Sequence, residues 1–580
     1  MYDLKISGGL LVDGTGDPPR PADVAVAGDT IVAVGPDLPG DAARTIDASG
    51  QIVTPGFVDV HTHYDGQATW DDLLEPSSGH GVTTVVMGNC GVGFAPVRPG
   101  TEEWLIQLME GVEDIPGAAL SEGITWGWES FGDYLDALDG HNWAIDVGTQ
   151  VPHGAVRAYV MGERGARNEP ADIDEIARME HIVADAVSAG ALGVSTSRTL
   201  AHKAMDGEPV PGPFAAEDEL FGLGRGLRDG GGGVFELAPV GSAGEDVVKP
   251  RSEVEWMRRL SAAIDQPVSF ALLQVPAAPD LWRELMDVSL QAAEEGAQLY
   301  PQVAGRPFGL LAGWQTSHPF MRRPTYRAIE RLGIEERIER LRDPAVRAAI
   351  LSEPDGERRG GMHEGVGSLV ARMLEQLYVL GDPPDYEPAP DRSIAAIAAA
   401  AGVDMAEAAY DAFCAEDGRA LLMAPLFNYV DGNHDVIREQ LTHSRAVVGL
   451  SDGGAHCGLI CDASMPTTMI SHWTRDRSRG EQLPLEWVVR KQSHDTAALF
   501  GLNDRGVVAP GKRADLNVID HARISLRTPR LVHDLPAGGR RLLQHADGYT
   551  VTIVAGEQTR ADGVDTGARP GRLVRGRRAA

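Results

Sequence analysis

A chain of 580 residues, 43% of them hydrophobic, is long enough for one large domain with attachments. Its formal net charge of −32, from 84 acidic against 52 basic residues, excludes a phosphate-backbone binder, which needs clustered Lys and Arg. Four cysteines make no disulfide framework in such a length, and neither a signal-like N-terminus nor a run near about 18 apolar residues is present, so a cytoplasmic protein off the membrane is expected.

Residues 1–54 alternate short apolar stretches, such as Leu4-Lys5-Ile6 and Val24-Ala25-Val26, with Gly, Asp and Pro, the pattern of a small antiparallel sheet. A matching set recurs at 506–519 and 551–557. A sheet of this kind cannot bury both faces, so residues 1–54 and 505–570 are expected to form one β-sandwich flanking a central domain over 55–504. There, strand-like and helical runs alternate. Candidate strands at 57–63, 81–90, 144–152, 190–197, 231–240, 266–275, 298–303 and 446–452 predict an α/β fold, a closed (β/α)8 barrel of the TIM type. Amphipathic stretches at Asp172–Ser188, Ser252–Ala263 and Pro279–Glu295 suit its outer ring of helices. An insertion over about 305–445 reads either as a lid or pocket wall, or as a peripheral, oligomer-forming subdomain. The last dozen residues, rich in Arg and Gly, read as a loose tail.

The chemistry concentrates in residues 55–91. Successive strand side chains alternate faces, so His61 and His63 point the same way and can hold one cation, although a bare His-x-His also suits two hydrogen-bonded strand residues. Asp59, Asp65 and Cys90 add carboxylate and thiolate, which completes the ligand types of a zinc-like ion. Reactive residues of such barrels sit at the C-terminal ends of strands, where His61, His63, Cys90, His153, Tyr300 and Asp452 all fall. Asp452 also suits a plain turn before Gly453-Gly454. His456, Cys457 and Cys461 read as packing residues rather than a second metal cluster, and Gly230 to Gly233 lack the Lys-Ser/Thr of a phosphate loop. In the insertion, Met362-His363-Glu364 and Asn433-His434-Asp435 either approach the pocket mouth or form polar surface turns.

Four stretches carry a family resemblance: Gly56-Phe57-Val58-Asp59-Val60-His61-Thr62-His63, the run from Gly81 to Gly91, the run from Gly190 to Ser197, and Ser451-Asp452-Gly453-Gly454. They resemble the amidohydrolase superfamily, in particular its D-aminoacylase (N-acyl-D-amino-acid deacylase) branch, over nearly the whole chain. Gly88-Asn89-Cys90-Gly91 is the specific part. The resemblance implies a metal-dependent hydrolase that cleaves the amide bond of an N-acyl-D-amino acid, or a similar N-acylated small molecule, through an activated water. It implies His61 and His63 as ligands of one metal, Cys90 as a thiolate ligand and Asp452 as the catalytic carboxylate and further ligand candidate. It matches Tyr300 to a substrate-binding tyrosine, and His153 is a further candidate for substrate contact. Residues 190–197 hold no lysine, so the carboxylated-lysine bridge of other relatives has no counterpart there, and Cys90 is its substitute.

Two ligand positions depart from the branch. The histidines that end its fifth and sixth strands are replaced by Ala238 and Leu272, neither of which binds a metal. Glu236, on the same strand face as Ala238, is a replacement candidate. Gln274 stands where the branch has a lysine near the substrate carboxylate. One divalent ion, zinc, is therefore expected rather than two. A ring-opening hydrolase of cyclic amides such as hydantoins or imides, and a hydrolytically incompetent binding protein of this fold, remain open, as does a homo-oligomer.

Overall fold

Apolar strands buried on both faces pair in parallel when helices cover them. The computed structural model, which describes residues 1–359 and 362–576, shows eight such strands. They are β1 (Phe57–Asp59), β2 (Val82–Met87), β3 (Asp146–Thr149, continued by Val151–Pro152), β4 (Gly193–Ser197), β5 (Val234–Ala238), β6 (Val268–Ala271), β7 (Leu299–Val303) and β8 (Val447–Val448). Each pairs in parallel with the next. Beyond the last strand, Thr62 bridges Gly453, His63 N donates to Gly453 O at 2.8 Å and Asp452 N donates to His61 O at 3.1 Å, which closes the barrel between β8 and β1.

Strands β1, β2 and β8 stop short of the ends expected at 63, 90 and 452. The reason is backbone conformation at two of those ends: Cys90 (φ +54°) and Asp452 (φ +50°) both lie in the left-handed region, which removes them from extended pairing and turns their side chains. Among the outer helices, Ile173–Ala189 starts in a reciprocal Asp172/Glu175 capping box and buries Ile176, Met179 and Val183.

The sandwich has one four-stranded sheet from residues 2–47 and one seven-stranded sheet in which Ile52–Pro55 pairs antiparallel with Leu516–Ile519. Leu4, Ile6, Val24 and Val26 pack on Val53, Leu516, Val518 and Ile553. The buried carboxylate of Asp146, at the start of β3, ties this unit to the barrel: it accepts from Arg505 Nη1 (2.6 Å), Arg513 Nη2 (3.0 Å) and Arg572 N (2.9 Å). That last contact corrects the expectation of a loose tail. Gly571 pairs with Trp143, Val574 N donates to Val147 O at 2.7 Å, and Leu573 is buried, because the lower edge of β3 has no other strand to satisfy its backbone. Residues 577–580 lie outside the described residues.

The insertion between β7 and β8 has an antiparallel sheet (Gly309–Ala312, Leu422–Pro425, Tyr378–Val379) and its own core around Trp314, Tyr326, Tyr410 and Phe413. Residues 530–543 leave the sandwich as a hairpin, and Leu542 N donates to Cys457 O at 2.6 Å beside the loop that follows β8. Among the described residues no helix is long and apolar enough to cross a membrane. Asp146→Asn removes a carboxylate shared by two buried arginines, which Asp515 also flanks at 3.9 and 3.4 Å, so unfolding free energy measured in urea should fall by about 3–5 kcal/mol, the range for a broken buried ion pair. A change within error would show that the network is not what holds the sandwich to the barrel.

Candidate metal centre

The Gly88-Asn89-Cys90-Gly91 turn is a backbone requirement. Gly88 has φ +79° and a Cβ there would sit 2.4 Å from Gln150 O; Gly91 has φ +70° and its Cβ would meet Thr196 Cα at 2.8 Å. Asn89 fixes the turn from within, donating to Thr62 O (3.1 Å) and Val86 O (3.0 Å) and accepting from Gln150 Nε2 (2.8 Å). The result places Cys90 Sγ 3.4 Å from His61 Nε2.

Around that pair the barrel closure gathers the rest. Asp452 Oδ1 lies 3.3 Å from His61 Nε2 and 3.6 Å from His63 Nε2. Ligand atoms of His61, His63 and Cys90 all fall within 4.8 Å of one another, and all three residues are buried. Glu236 reaches in from β5: its Oε2 accepts from Cys90 N (2.9 Å) and its Oε1 stands 3.8 Å from His61 Nδ1. Two residues with no signal in any motif orient the histidines. Gln302 Oε1 accepts from His61 Nδ1 (2.9 Å) and Glu113 Oε1 lies 3.4 Å from His63 Nδ1, so each ring turns Nε2 towards Cys90 and Asp452. Asp59 and Asp65 brace the frame instead, Asp59 accepting from Ser451 Oγ and Asp65 from Gly88 N.

The charges of this site call for a cation. Burial, reinforced by the carboxylates of Glu236, Glu113 and Asp452, pushes the Cys90 thiol well above its ordinary range, and burial raises Glu113 and Glu236 as well. Burial opposes charge on His63, yet Glu113 and Asp452 prevail and push it up to about 9. Asp452 is itself buried, but the His63 and His61 imidazoles hold it well below the usual carboxylate range. Glu236 Oε1, Glu113 Oε1 and His63 Nδ1 have no hydrogen-bond partner among the described residues. Imidazole, thiol and carboxylate donors left unsatisfied in a dry site fit a divalent ion, which would let the thiol and acids ionise.

Other expected site residues lie elsewhere. His153 is fully buried with both ring nitrogens engaged, Nδ1 with Thr196 Oγ1 and Nε2 with Glu219 Oε1, each at 2.8 Å, which leaves no nitrogen for a substrate. Tyr300 is the second residue of β7, near its N-terminal end, and its ring lies under the Arg445 guanidinium at 4.1 Å; Gln302, two residues further up the same face, is the one that reaches the site. Gln274 is tied to the insertion, its Oε1 accepting from Val430 N (3.3 Å) and its backbone N donating to Asn428 Oδ1 (2.7 Å). Ala238 and Leu272 are buried apolar side chains at the ends of β5 and β6. His202, on the loop after β4, pairs with Ser197 Oγ at 2.9 Å and is pushed down to about 3 by burial and by the neighbouring His456 and His63, which puts a further imidazole beside the centre.

A sequence profile of the amidohydrolase family matches residues 44–560. The chain belongs to the amidohydrolase family. Within it, D-aminoacylase of Alcaligenes xylosoxydans xylosoxydans is 33% identical over 542 residues, covering 90% of this chain and 89% of that protein. A crystal structure of D-aminoacylase, described as defining a novel subset of amidohydrolases, superposes with a TM-score of 0.65 at 25% identity, covering 99% and 100% of the two chains. A second D-aminoacylase structure, from work on the role of its binuclear metal centre, gives 0.63 at 25% identity over 99% and 100% of the chains. This amidohydrolase is thus an enzyme of the D-aminoacylase branch acting on carbon–nitrogen bonds, with a cluster of metal-binding residues at the C-terminal end of its barrel strands.

Two outcomes test this geometry. Glu113→Gln should weaken metal affinity about 10- to 100-fold in chelator competition, as loss of an orienting partner does; unchanged affinity would remove Glu113 from the site. The second concerns acid. Glu219 is held down to about 2, burial being outweighed by His153 and Arg157, from an ordinary value of 4.5, so its carboxylate stabilises the amidohydrolase fold above pH 4.5 and this is lost as pH falls towards 2. Burial lowers His153 as well, which acts in the same direction. Stability in urea should therefore drop on acidification, on the order of 3 kcal/mol at the full Glu219 shift, and the drop should be shallower in Glu219→Gln. A flat profile in the wild type would contradict this.

Proposed function

We propose that the chain hydrolyses the amide bond of an N-acyl-D-amino acid with one zinc ion, and that His61, His63 and Cys90 hold the ion with Glu236 as the fourth donor. The observation that carries this reading is the meeting of His61, His63, Cys90, Glu236 and Asp452 at one end of a closed barrel. Support for the substrate class comes from the 33% identical D-aminoacylase. A single ion fits two features: Ala238 and Leu272 offer no donor for a second one, and the D-aminoacylase whose structure matches over its whole length is described as activated by one metal and attenuated by a second.

A zinc ion bound there supplies a Lewis acid that polarises the amide carbonyl and lowers the pKa of water to near neutrality. The chain's own residues do the rest. Asp452, kept ionised by its two histidines, accepts a proton at Oδ1 from the attacking water and delivers it to the departing nitrogen, which cannot leave as an anion. Gln302 accepts from His61 Nδ1 and fixes that ring's tautomer, while the Glu113 carboxylate faces His63 Nδ1 at 3.4 Å. The left-handed backbone at Asp452 aims its carboxylate between the two Nε2 atoms instead of along the strand.

Asp452→Asn keeps the size of the side chain but cannot carry the proton. Turnover should fall by at least about 100-fold, the lower end of general acid–base contributions. The assay compares wild type and variant on N-acyl-D- and N-acyl-L-amino acids and cyclic imides, with zinc measured on the same samples. Full activity in the variant would take Asp452 out of the mechanism, and a wild type active only on cyclic imides would replace the proposed substrate.

A further inference from the structure

A second group of metal-type donors lies outside the catalytic centre. Glu387 and His434 belong to the insertion, and His472 opens the turn that follows the helix Met465–Ser471, beyond β8. One ligand atom from each falls within 4.8 Å of the other two. Glu387 Oε2 is 3.0 Å from His472 Nε2 and 3.8 Å from His434 Nδ1.

For Asn433-His434-Asp435 the sequence left open a place at the pocket mouth or a polar surface turn, and His434 is fully buried. Its Nε2 faces the carbonyl of Tyr386 at 2.9 Å and must carry the ring proton. Its Nδ1 is therefore a bare lone pair, and it has no hydrogen-bond partner among the described residues. What it faces is a carboxylate oxygen, another acceptor. Two acceptors opposed across 3.8 Å, with no hydrogen bond between them, leave a place for a cation. Arg477 donates to both carboxylate oxygens, from Nη2 to Oε1 and from Nε to Oε2, each at 3.2 Å, and to Asp435 at 2.7 Å, but it does not reach His434 Nδ1, which stays unmatched. His472–Asp476 forms a π-helical turn, a conformation that recurs at functional sites, and a cavity of about 610 Å³ reaches Glu387 and His472 from outside, which provides an entry path.

We propose that Glu387 Oε2, His434 Nδ1 and His472 Nε2 bind a second divalent ion of the zinc type, whose role is to clamp the insertion to the barrel, independent of catalysis. Two imidazoles and one carboxylate are a common zinc ligand set, and the spacings match ligands around a single small ion. Binding requires His472 Nε2 to give up its proton, which moves to Nδ1 of the same ring, so no redox partner is involved. The clamp joins the insertion to the segment that follows β8.

The test is zinc content after equilibration at fixed free zinc, for the wild type, His472→Gln and the double variant His61→Ala/His63→Ala. His472 is partly exposed, so its substitution should leave the fold intact, which circular dichroism checks. His472→Gln should hold one ion fewer than the wild type, and the double variant should keep one ion. Cobalt provides a second readout: the ion retained by the double variant should lack the thiolate charge-transfer band that Cys90 gives. Equal zinc in wild type and His472→Gln, or no ion in the double variant, would overturn the proposal. If His472→Gln fails to fold, the double variant's ion count and cobalt spectrum decide alone.

Discussion

The seam between β8 and β1 is the constraint on which the rest depends. Hydrogen bonds from His63 N to Gly453 O and from Asp452 N to His61 O close the barrel, and the same bonds set how far the Asp452 carboxylate stands from both imidazoles. Closure and chemistry share one set of backbone atoms. Any slip in register at this seam would swap inward and outward faces and dismantle the donor cluster at once. The glycines of the Gly88–Gly91 turn serve the same end from the second strand, since they alone allow the backbone to pass under Gln150 and Thr196.

A dry, donor-rich site is unstable by its own electrostatics. Three carboxylates and a thiol around two imidazoles cannot all ionise without a counter-charge, and the raised values of Cys90, Glu113 and Glu236 express that conflict. The structure accepts it because the barrel is held elsewhere, by the apolar core and by the buried Asp146 network at the opposite end. Strength at one end permits tension at the other.

Much of this was legible in the sequence where the signal is local. Alternation placed His61 and His63 on one face, the Gly-Asn-Cys-Gly run marked a special turn, and the two terminal sets of short strands pointed to a shared sandwich. Depth along a strand was not legible: Tyr300 and Gln302 share a face of β7, and only the barrel's stagger shows that the upper one meets His61. Glu113 was invisible because it ends an ordinary amphipathic helix, Glu102–Glu113, whose other buried residues are apolar. His434 could be read as a surface turn or as pocket mouth because its neighbours Asn433 and Asp435 are polar, while its burial comes from contacts with Tyr429 and Trp473. Burial made by distant chain segments leaves no periodic trace.

The docking of residues 571–576 beneath β3 has a consequence for synthesis. Arg572 and Asp146 are 426 positions apart, and Ile52–Pro55 waits for Leu516–Ile519 over a comparable stretch. On the ribosome the N-terminal sheet emerges with Leu4, Ile6, Val24 and Val26 uncovered, and the third strand with an open lower edge, long before their partners exist. The nascent chain is therefore sticky at both places for most of its elongation, a stage at which chaperone capture guards against association between neighbouring copies.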